Sequence, residues 1–405
     1  MKDFIKQFRS EDWLSTIMGA TLLTLVICFP QFKQLSKISQ EIIKLLLIGG
    51  LSAIGLKVLG NKIRMFALGF IFIFAIAYLS QYISSISGIK KIGLESVFFS
   101  VAIGLIIRNS IGLPKWVEPA AKSEFYIKAG LVILGSSILF GEIVKAGAYG
   151  MIQALIVVIS VWYFTFWLAK KLGVDQEMGI MLSSAVSICG VSAAIATCGA
   201  IKGDNKKLSF VISIVLVVAI PMMYIMPFLS QLMGLSQEVA GAWLGGTIDT
   251  TGAVVASGKF LGEIAESQSV IIKSAQNVLL GVAAFAISIY WSIKGTKNDI
   301  RPSASVLWER FPKFVLGFIA ASIVFSFLLD IDTAKSLSGS ARGLRETLFS
   351  IAFVSIGLET DFKKVFGKEN RLYTLTFLIA QMFNVIITLI VALLLFGNYN
   401  FSFGF

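Results

Sequence analysis

Two short stretches rich in small polar residues interrupt long apolar segments of this 405-residue chain. The first, SSAVSICGVSAAIATCG, covers residues 183–199, and the second, AWLGGTIDTTGAVVASG, covers residues 242–258. Serine, threonine and glycine weaken an α-helix, and glycine also adopts backbone angles closed to other residues. A helix that breaks in an apolar environment exposes N–H and C=O groups, which only protein or a watery cavity can cover. Both stretches therefore predict interrupted helices beside a binding site.

The first stretch offers groups suited to a negatively charged solute. Free N–H groups and the positive dipole end of a half-helix together form a ready site for an anion. The predicted substrate-binding residues of this stretch are Ser187, Cys189, Gly190 and Ser192. Close helix packing is the alternative interpretation, because small residues also line helix interfaces in membranes.

The second stretch adds a carboxylate. Asp249 lies in an apolar segment, where a charged side chain costs about 3 kcal/mol or more unless it is paired or hydrated. Hydroxyl groups of Thr247, Thr250 and Thr251 surround it in the sequence, and Gly252 loosens the backbone. We predict that Thr247 and Asp249 bind a coupling ion or proton. The other three residues are predicted to contact the substrate.

A third group follows in the sequence VIIKSAQNVLLG. Spacings of three and four residues place Lys273, Gln276 and Asn277 on about one helical face. We predict that this face also contacts the substrate. Lys273 lies near the start of its apolar segment, so an ammonium group that reaches out to the membrane surface is an equal alternative. Gln381 and Asn384 in the last helix either join the cavity or bond across helices.

The composition requires membrane helices to position these groups. The chain is 56% hydrophobic and 14% charged, whereas roughly 25% charged residues are usual in soluble domains. Apolar segments recur that are long enough to cross a bilayer core of about 30 Å. They cover residues 13–30, 42–60, 65–87, 92–112, 124–143, 150–169, 208–232, 270–293, 313–330, 343–361 and 373–396.

These segments predict an all-α polytopic membrane protein with about 11 transmembrane helices plus two interrupted or re-entrant helices near 176–201 and 236–258. We expect one integrated transmembrane domain over residues 13–396. A cytoplasmic N-terminal segment, 1–12, precedes it and a short tail, 397–405, follows. The bilayer is the expected partner, and a homo-oligomer is left open.

Basic residues in short loops indicate the orientation. Lys2, Lys6 and Arg9 predict a cytoplasmic N-terminus. The same rule favours re-entrant over fully crossing interrupted helices. Internal similarity between residues 132–144 and 354–366, and between the stretches that begin at Gly190 and Gly252, predicts inverted repeats. Such repeats with interrupted helices are the usual architecture of secondary transporters.

Several functional classes are disfavoured. The net charge of +12 lies in loops between spans and is explained by membrane orientation, so we expect no nucleic-acid partner. The chain has no histidine, so it has no histidine base or metal ligand, and we predict neither an enzyme nor a bound cofactor. We expect a secondary transporter that moves a small solute, an organic or inorganic anion, coupled to Na⁺ or H⁺. The alternatives are an ion channel or a cation/proton antiporter at the same broken helices.

Four blocks of the chain resemble the YeiH-type family of bacterial membrane proteins, whose members carry the label of sulfate exporters. They are SICGVSAAIA, AWLGGTIDTTGAVVASG, GLIIRN and SIGLETDFKKV, and the resemblance spans roughly residues 65–396. It implies an anion such as sulfate, a sulfonate or an organic acid as the solute. The motifs imply functional roles for Cys189, Gly190, Ser192, Asp249, Thr250, Thr251 and Lys273.

A more distant similarity concerns the segment KGDNKKLSFVISIVLVVAIP, which resembles the bile acid:sodium symporter group. That similarity implies two inverted repeats, a core with crossed broken helices, and a flanking panel. The chain differs from the YeiH-type pattern at Gln276, where the family carries a second basic residue.

Overall fold

The computed structural model describes residues 10–29, 37–59, 63–86, 96–293, 311–365 and 370–397, together with positions 89 and 308. Within these ranges every regular element is a helix, and no strand is present. Most of the predicted N-terminal segment, with Lys2, Lys6 and Arg9, and most of the predicted tail lie outside the described residues. The all-helical class is confirmed.

The chain divides into two compact units, each built from two separate parts of the sequence. The first unit combines residues 1–143 with residues 312–361. Its helices are α1 (Glu11–Cys28), α2 (Lys37–Val58), α3 (Ile63–Ser85), α4 (Ser96–Ser110), α5 (Ser123–Leu134), α13 (Lys313–Ile323) and α14 (Ile331–Glu359). A 3₁₀ turn, Gly135–Ser137, extends α5, and a π-helical turn, Val324–Leu328, extends α13.

The second unit combines residues 144–311 with residues 362–405. Its helices are α6 (Phe140–Lys171, from Val144 onward), α7 (Gln176–Ser187), α8 (Val191–Ile201), α9 (Asn205–Leu232), α10 (Gln237–Thr247), α11 (Thr251–Leu261), α12 (Glu263–Ile293), α15 (Phe362–Val365) and α16 (Arg371–Phe396). Both predicted helix breaks belong to this unit. Helix α12 packs along α10 and α11, and α16 packs against α10 and α7.

Helix length agrees with a polytopic membrane protein. Six described helices are long and apolar enough to cross a bilayer, namely α1, α3, α6, α9, α12 and α16, and three apolar helices are shorter. The predicted number of spans and the predicted repeats remain predictions. The contacts divide the chain into two compact units, and the single integrated transmembrane domain over 13–396 stays a prediction.

Each interrupted helix consists of two short halves. Helices α7, α8, α10 and α11 have 12, 11, 11 and 11 residues. At about 1.5 Å per residue each half measures roughly 16–18 Å, about half the thickness of a bilayer core. Three residues separate the halves in both cases, 188–190 and 248–250. The second halves start after Gly190 and Thr250, so the sequence alignment of Gly190 with Gly252 is out of register by two positions.

Side chains fix where the first halves begin. The Asp175 carboxylate accepts a hydrogen bond from Met178 N at 3.2 Å at the start of α7. The Ser236 hydroxyl accepts one from Val239 N at 3.4 Å at the start of α10. Aspartate and serine are favoured at this position because each satisfies an N–H group that has no partner within the helix.

Two glycines allow a close crossing of α4 and α14 in the first unit. A Cβ atom at Gly357 would lie 2.5 Å from the Val101 carbonyl oxygen, and one at Gly104 would lie 2.5 Å from the Val354 carbonyl oxygen. Because the obstructing atoms belong to the backbone, no side-chain rotation can relieve the overlap. The ion pair between Arg108 and Asp361, at 3.0 Å, lies at the same end of these helices.

We predict that Gly357→Ala destabilises the protein by about 1–3 kcal/mol, because overpacking costs this much in a tightly packed interface. Gly50→Ala is the matched control, since a Cβ atom at Gly50 would meet no described atom within 4 Å. Alanine also favours helix, so the control should be neutral or stabilised by up to about 1 kcal/mol. Thermal unfolding in detergent measures both. Equal transition temperatures for the two variants would contradict the close crossing.

The loop between α8 and α9 tests the predicted re-entrant topology. Lys206 is exposed near the start of α9. We predict that a cysteine at Lys206 reacts with a membrane-impermeant maleimide only from the cytoplasmic side. The native Cys28 is exposed and is replaced by serine beforehand, whereas Cys189 and Cys198 are buried. Labelling from outside intact cells would show that 176–201 crosses the membrane fully.

Candidate functional site

The two helix interruptions lie directly against each other. A Cβ atom built on Gly190 would lie 3.1 Å from the Asp249 carbonyl oxygen and 3.2 Å from Asp249 Cβ. It would also lie 2.6 Å from Val215 Cγ1, and the φ angle of Gly190 is +57°. Both the space and the left-handed backbone require glycine here. The two stretches singled out by composition therefore form one local structure.

Polar side chains from α12 and α16 cover the C-terminal carbonyl groups of α7. A helix leaves its last carbonyl groups without partners inside the helix, and inside a membrane these groups need other donors. Asn384 Nδ2 donates to Val186 O at 3.1 Å, Gln276 Nε2 donates to Ser187 O at 2.8 Å, and Lys273 Nζ donates to Ile188 O at 2.6 Å. The broken end of α7 is thus fully supplied with donors.

The same amides cover the end of α10. Gln276 Nε2 also donates to Gly246 O at 3.2 Å, and Thr247 O accepts from Gln381 Nε2 at 3.0 Å and from Asn384 Nδ2 at 3.1 Å. Gln276 and Asn384 therefore each bond to both broken helices. Their side-chain oxygens are occupied as well, because Lys273 donates to Gln276 Oε1 and Thr388 donates to Asn384 Oδ1. These two amides hold the interruptions together.

Lys273 does not extend to the surface. Its side chain is 1% exposed, and its ammonium group lies at the negative end of the α7 dipole. The snorkelling alternative is therefore wrong. The reason lies in the start of α12, which begins at Glu263, so that Lys273 is buried well within the helix.

The N-terminal ends of the second halves differ. The Thr250 hydroxyl caps α11 by accepting from Ala253 N at 3.3 Å. At the start of α8 the N-cap residue is Gly190, which has no side chain that could cap the helix. Val191 and Ser192 in this turn are partly exposed, in contrast to their buried neighbours. The positive end of the α8 dipole thus lies at the break, beside these two residues.

Several buried oxygen atoms around the interruptions have no hydrogen-bond partner among the described residues. They are Ser187 Oγ, Thr247 Oγ1, both carboxylate oxygens of Asp249, Asn277 Oδ1 and Gln381 Oε1. Asp249 is 1% exposed. Lys273 and Gln381 lie close enough to the carboxylate to stabilise its charge, although neither makes a hydrogen bond of ordinary geometry to it.

The remaining predicted residues also lie at the interruptions. Cys189 is buried between the halves of the first break, and Gly252 is buried in the first turn of α11. Thr251 Oγ1 accepts from Asn277 Nδ2 at 3.4 Å. Gln381 and Asn384, which the sequence assigns to the cavity or to bonds across helices, also lie here, and their signal in the sequence is an amide inside an apolar helix.

Comparison with known proteins places the chain in a family. The family model described as "Conserved hypothetical protein 698" matches residues 68–376. A UPF0324 membrane protein of Nitratidesulfovibrio vulgaris is 38% identical over 369 residues, covering 86% of this chain and 62% of the relative. A UPF0324 membrane protein of Rhodopirellula baltica is 38% identical over 366 residues, covering 87% of this chain and 67% of the relative.

This chain thus spans less than two thirds of the length of the Nitratidesulfovibrio relative. No solved structure matches the chain, and the distant similarity to bile acid:sodium symporters stays a prediction. The YeiH-type resemblance is confirmed, because the matched family and the relatives agree with it. The chain therefore belongs to the UPF0324 family of membrane proteins.

Proposed function

We propose that this protein is a secondary transporter that moves a small anionic solute across the bacterial inner membrane by alternating access. The solute class is sulfate-like, sulfonate-like or a small organic acid, and the coupling ion is Na⁺ or H⁺. The observation that carries this proposal is the contact between two broken helices at Gly190 and Asp249 inside an apolar unit. Interrupted helices of this kind form substrate and ion sites in secondary transporters.

The start of α8 supports an anionic solute. Its N-cap residue is Gly190, which has no side chain to occupy the first N–H groups, and Ser192 in the first turn is partly exposed. An anion would receive N–H donors, the positive end of the helix dipole and a hydroxyl group. The buried hydroxyl of Ser187, which has no described partner, precedes the same interruption.

Asp249 supports the coupling of solute transport to an ion. A buried carboxylate with no hydrogen-bonded partner in the described residues is costly unless a cation or proton joins it. Ion binding would therefore change the charge beside the anion site, since Asp249 lies against Gly190 at the start of α8. The start of α8 would hold an anion more strongly when the carboxylate charge is neutralised. Binding of the coupling ion and binding of the anion would then each strengthen the other.

Counterflow in proteoliposomes tests the proposal against a channel. Vesicles are preloaded with unlabelled sulfate, a sulfonate or a small carboxylate, and labelled solute is supplied outside at low concentration. A carrier exchanges the two and transiently accumulates the label, because each solute crosses on the same site. A pore only equilibrates the label. We expect accumulation with one of these anions, and simple equilibration would favour the channel.

A further inference from the structure

The unpartnered oxygens at the interruptions have a common chemistry. All six can accept a hydrogen bond or coordinate a cation, and the two that are hydroxyl oxygens also carry a proton. Gln381 Nε2 donates to Thr247 O, and Asn277 Nδ2 donates to Thr251 Oγ1. The amide oxygens of both residues have no hydrogen-bond partner among the described residues. In contrast, the oxygens of Gln276 and Asn384 are satisfied.

We propose that Asp249, Thr247, Asn277 and Gln381 form an oxygen-lined site for a monovalent alkali cation, with Na⁺ as its physiological ligand. The proposal rests on the transport function proposed above and deepens it by choosing the ion and assigning Asn277 and Gln381 to it. All four side chains are at least nine-tenths buried. A buried acceptor without a donor is costly, so a cation that serves several acceptors at once accounts for the whole set.

The charge of Asp249 and the number of unpartnered oxygens favour a metal cation over a proton as the ligand of this site. A proton on Asp249 would supply one donor and satisfy one acceptor, whereas the other oxygens would remain without partners. A cation coordinates several oxygens at once. Asp249 supplies a single negative charge among otherwise neutral oxygens, which suits a monovalent ion better than the carboxylate-rich sites of divalent ions.

Lys273 does not exclude a cation. Its ammonium group is directed at Ile188 O and Gln276 Oε1, at 2.6 and 2.8 Å, and not in hydrogen-bonding position for Asp249. It therefore offsets the negative end of α7. Lys273 also attracts the nearby Asp249 carboxylate, but it makes no hydrogen bond to either carboxylate oxygen, so both oxygens stay available to a cation.

Thr247→Val gives the sharpest test, because the Thr247 hydroxyl has no described partner and valine has the same shape. A purely structural role predicts no loss of stability when an unpaired buried hydroxyl is removed. Gln381→Leu is the second variant. When Gln381 is replaced, Thr247 O still accepts a hydrogen bond from Asn384 Nδ2, so the end of α10 keeps one of its two donors.

The experiment is thermal unfolding of the purified full chain in detergent, titrated with NaCl at constant ionic strength held by choline chloride. A ligand that binds only the folded state raises its transition temperature. We expect a saturable rise with NaCl for the wild type and a smaller one with KCl. Thr247→Val and Gln381→Leu should raise the half-saturating NaCl concentration at least tenfold, and Thr247→Val should do so without lowering the transition temperature in choline.

Gln153→Leu is the matched control. Gln153 is fully buried, its Oε1 has no described partner, and its Nε2 donates to Ala242 O more than one turn before the break. We expect its Na⁺ response to equal that of the wild type. An equal loss of response in Gln153→Leu, the absence of any Na⁺ response in the wild type, or stabilisation by acid alone would each overturn the cation site.

The two proposals fail separately. Anion counterflow without Na⁺-dependent stabilisation would remove the cation site and leave the transporter in place. Stabilisation by Na⁺ that the variants abolish, together with no counterflow for any anion tested, would support the cation site and remove the proposed transport function.

Discussion

Asp249→Asn should leave the protein folded and reduce gradient-driven uptake of its solute to background. Asparagine has the same shape, and the carboxylate oxygens accept no hydrogen bond from the described residues, so the exchange breaks no such bond. It removes the only negative charge at the interruptions, and with it the attraction for a cation or proton. Thermal unfolding and uptake driven by a Na⁺ or pH gradient in proteoliposomes measure the two effects.

Asp204→Asn is the matched control for this variant. Asp204 is exposed and caps α9 by accepting from Lys206 N at 2.8 Å. Asparagine caps a helix about as well as aspartate, so we expect unchanged stability and unchanged uptake. Normal coupling in Asp249→Asn would mean that Asp249 has a structural role and that the coupling site lies elsewhere in the chain.

The positions of the breaks could be predicted because their signal is local. Glycine, serine and threonine weaken a helix wherever they cluster, and a carboxylate in an apolar segment is costly whatever surrounds it. The residues Gly190 and Asp249 therefore stand out in the sequence by themselves. Their direct contact could only be suspected, since nothing local fixes the distance between segments about sixty residues apart.

The groups that cover the broken ends depend on contacts distant in sequence. Asn384 donates to Val186 O across 198 positions, and Gln276 donates to Ser187 O across 89. An amide in an apolar helix has the same local signal whether it joins a cavity or bonds across helices. The sequence therefore does not decide between these two roles for Gln381 and Asn384. Lys273 was equally ambiguous, because the hydropathy of its segment rises only at 270 whereas α12 begins at Glu263.

Gly190→Val should abolish transport while the protein still inserts in the membrane. The new side chain would collide with Val215 Cγ1, which lies 2.6 Å from the Cβ position, and with the Asp249 backbone. It would also hold a β-branched residue at a φ angle of +57°. The left-handed conformation costs about 1–2 kcal/mol and overpacking about 1–3 kcal/mol, so a loss of about 2–5 kcal/mol in stability is expected. Insertion depends on the apolar segments and should persist.

The comparison with Gly234→Val separates the effect of backbone strain from the effect of the steric collision. Gly234 has a φ angle of +64°, but a Cβ atom there would meet no described atom within 4 Å. This control carries the backbone strain without the collision, so it should lose about 1–2 kcal/mol and keep transport. Gly190→Ala supplies a folded variant if valine proves too disruptive, because its single Cβ atom still presses on Asp249. Counterflow in Gly190→Val equal to that in Gly234→Val would show that the contact at Gly190 only packs the helices. Loss confined to the Gly190 variants would tie transport to the contact between the two broken helices.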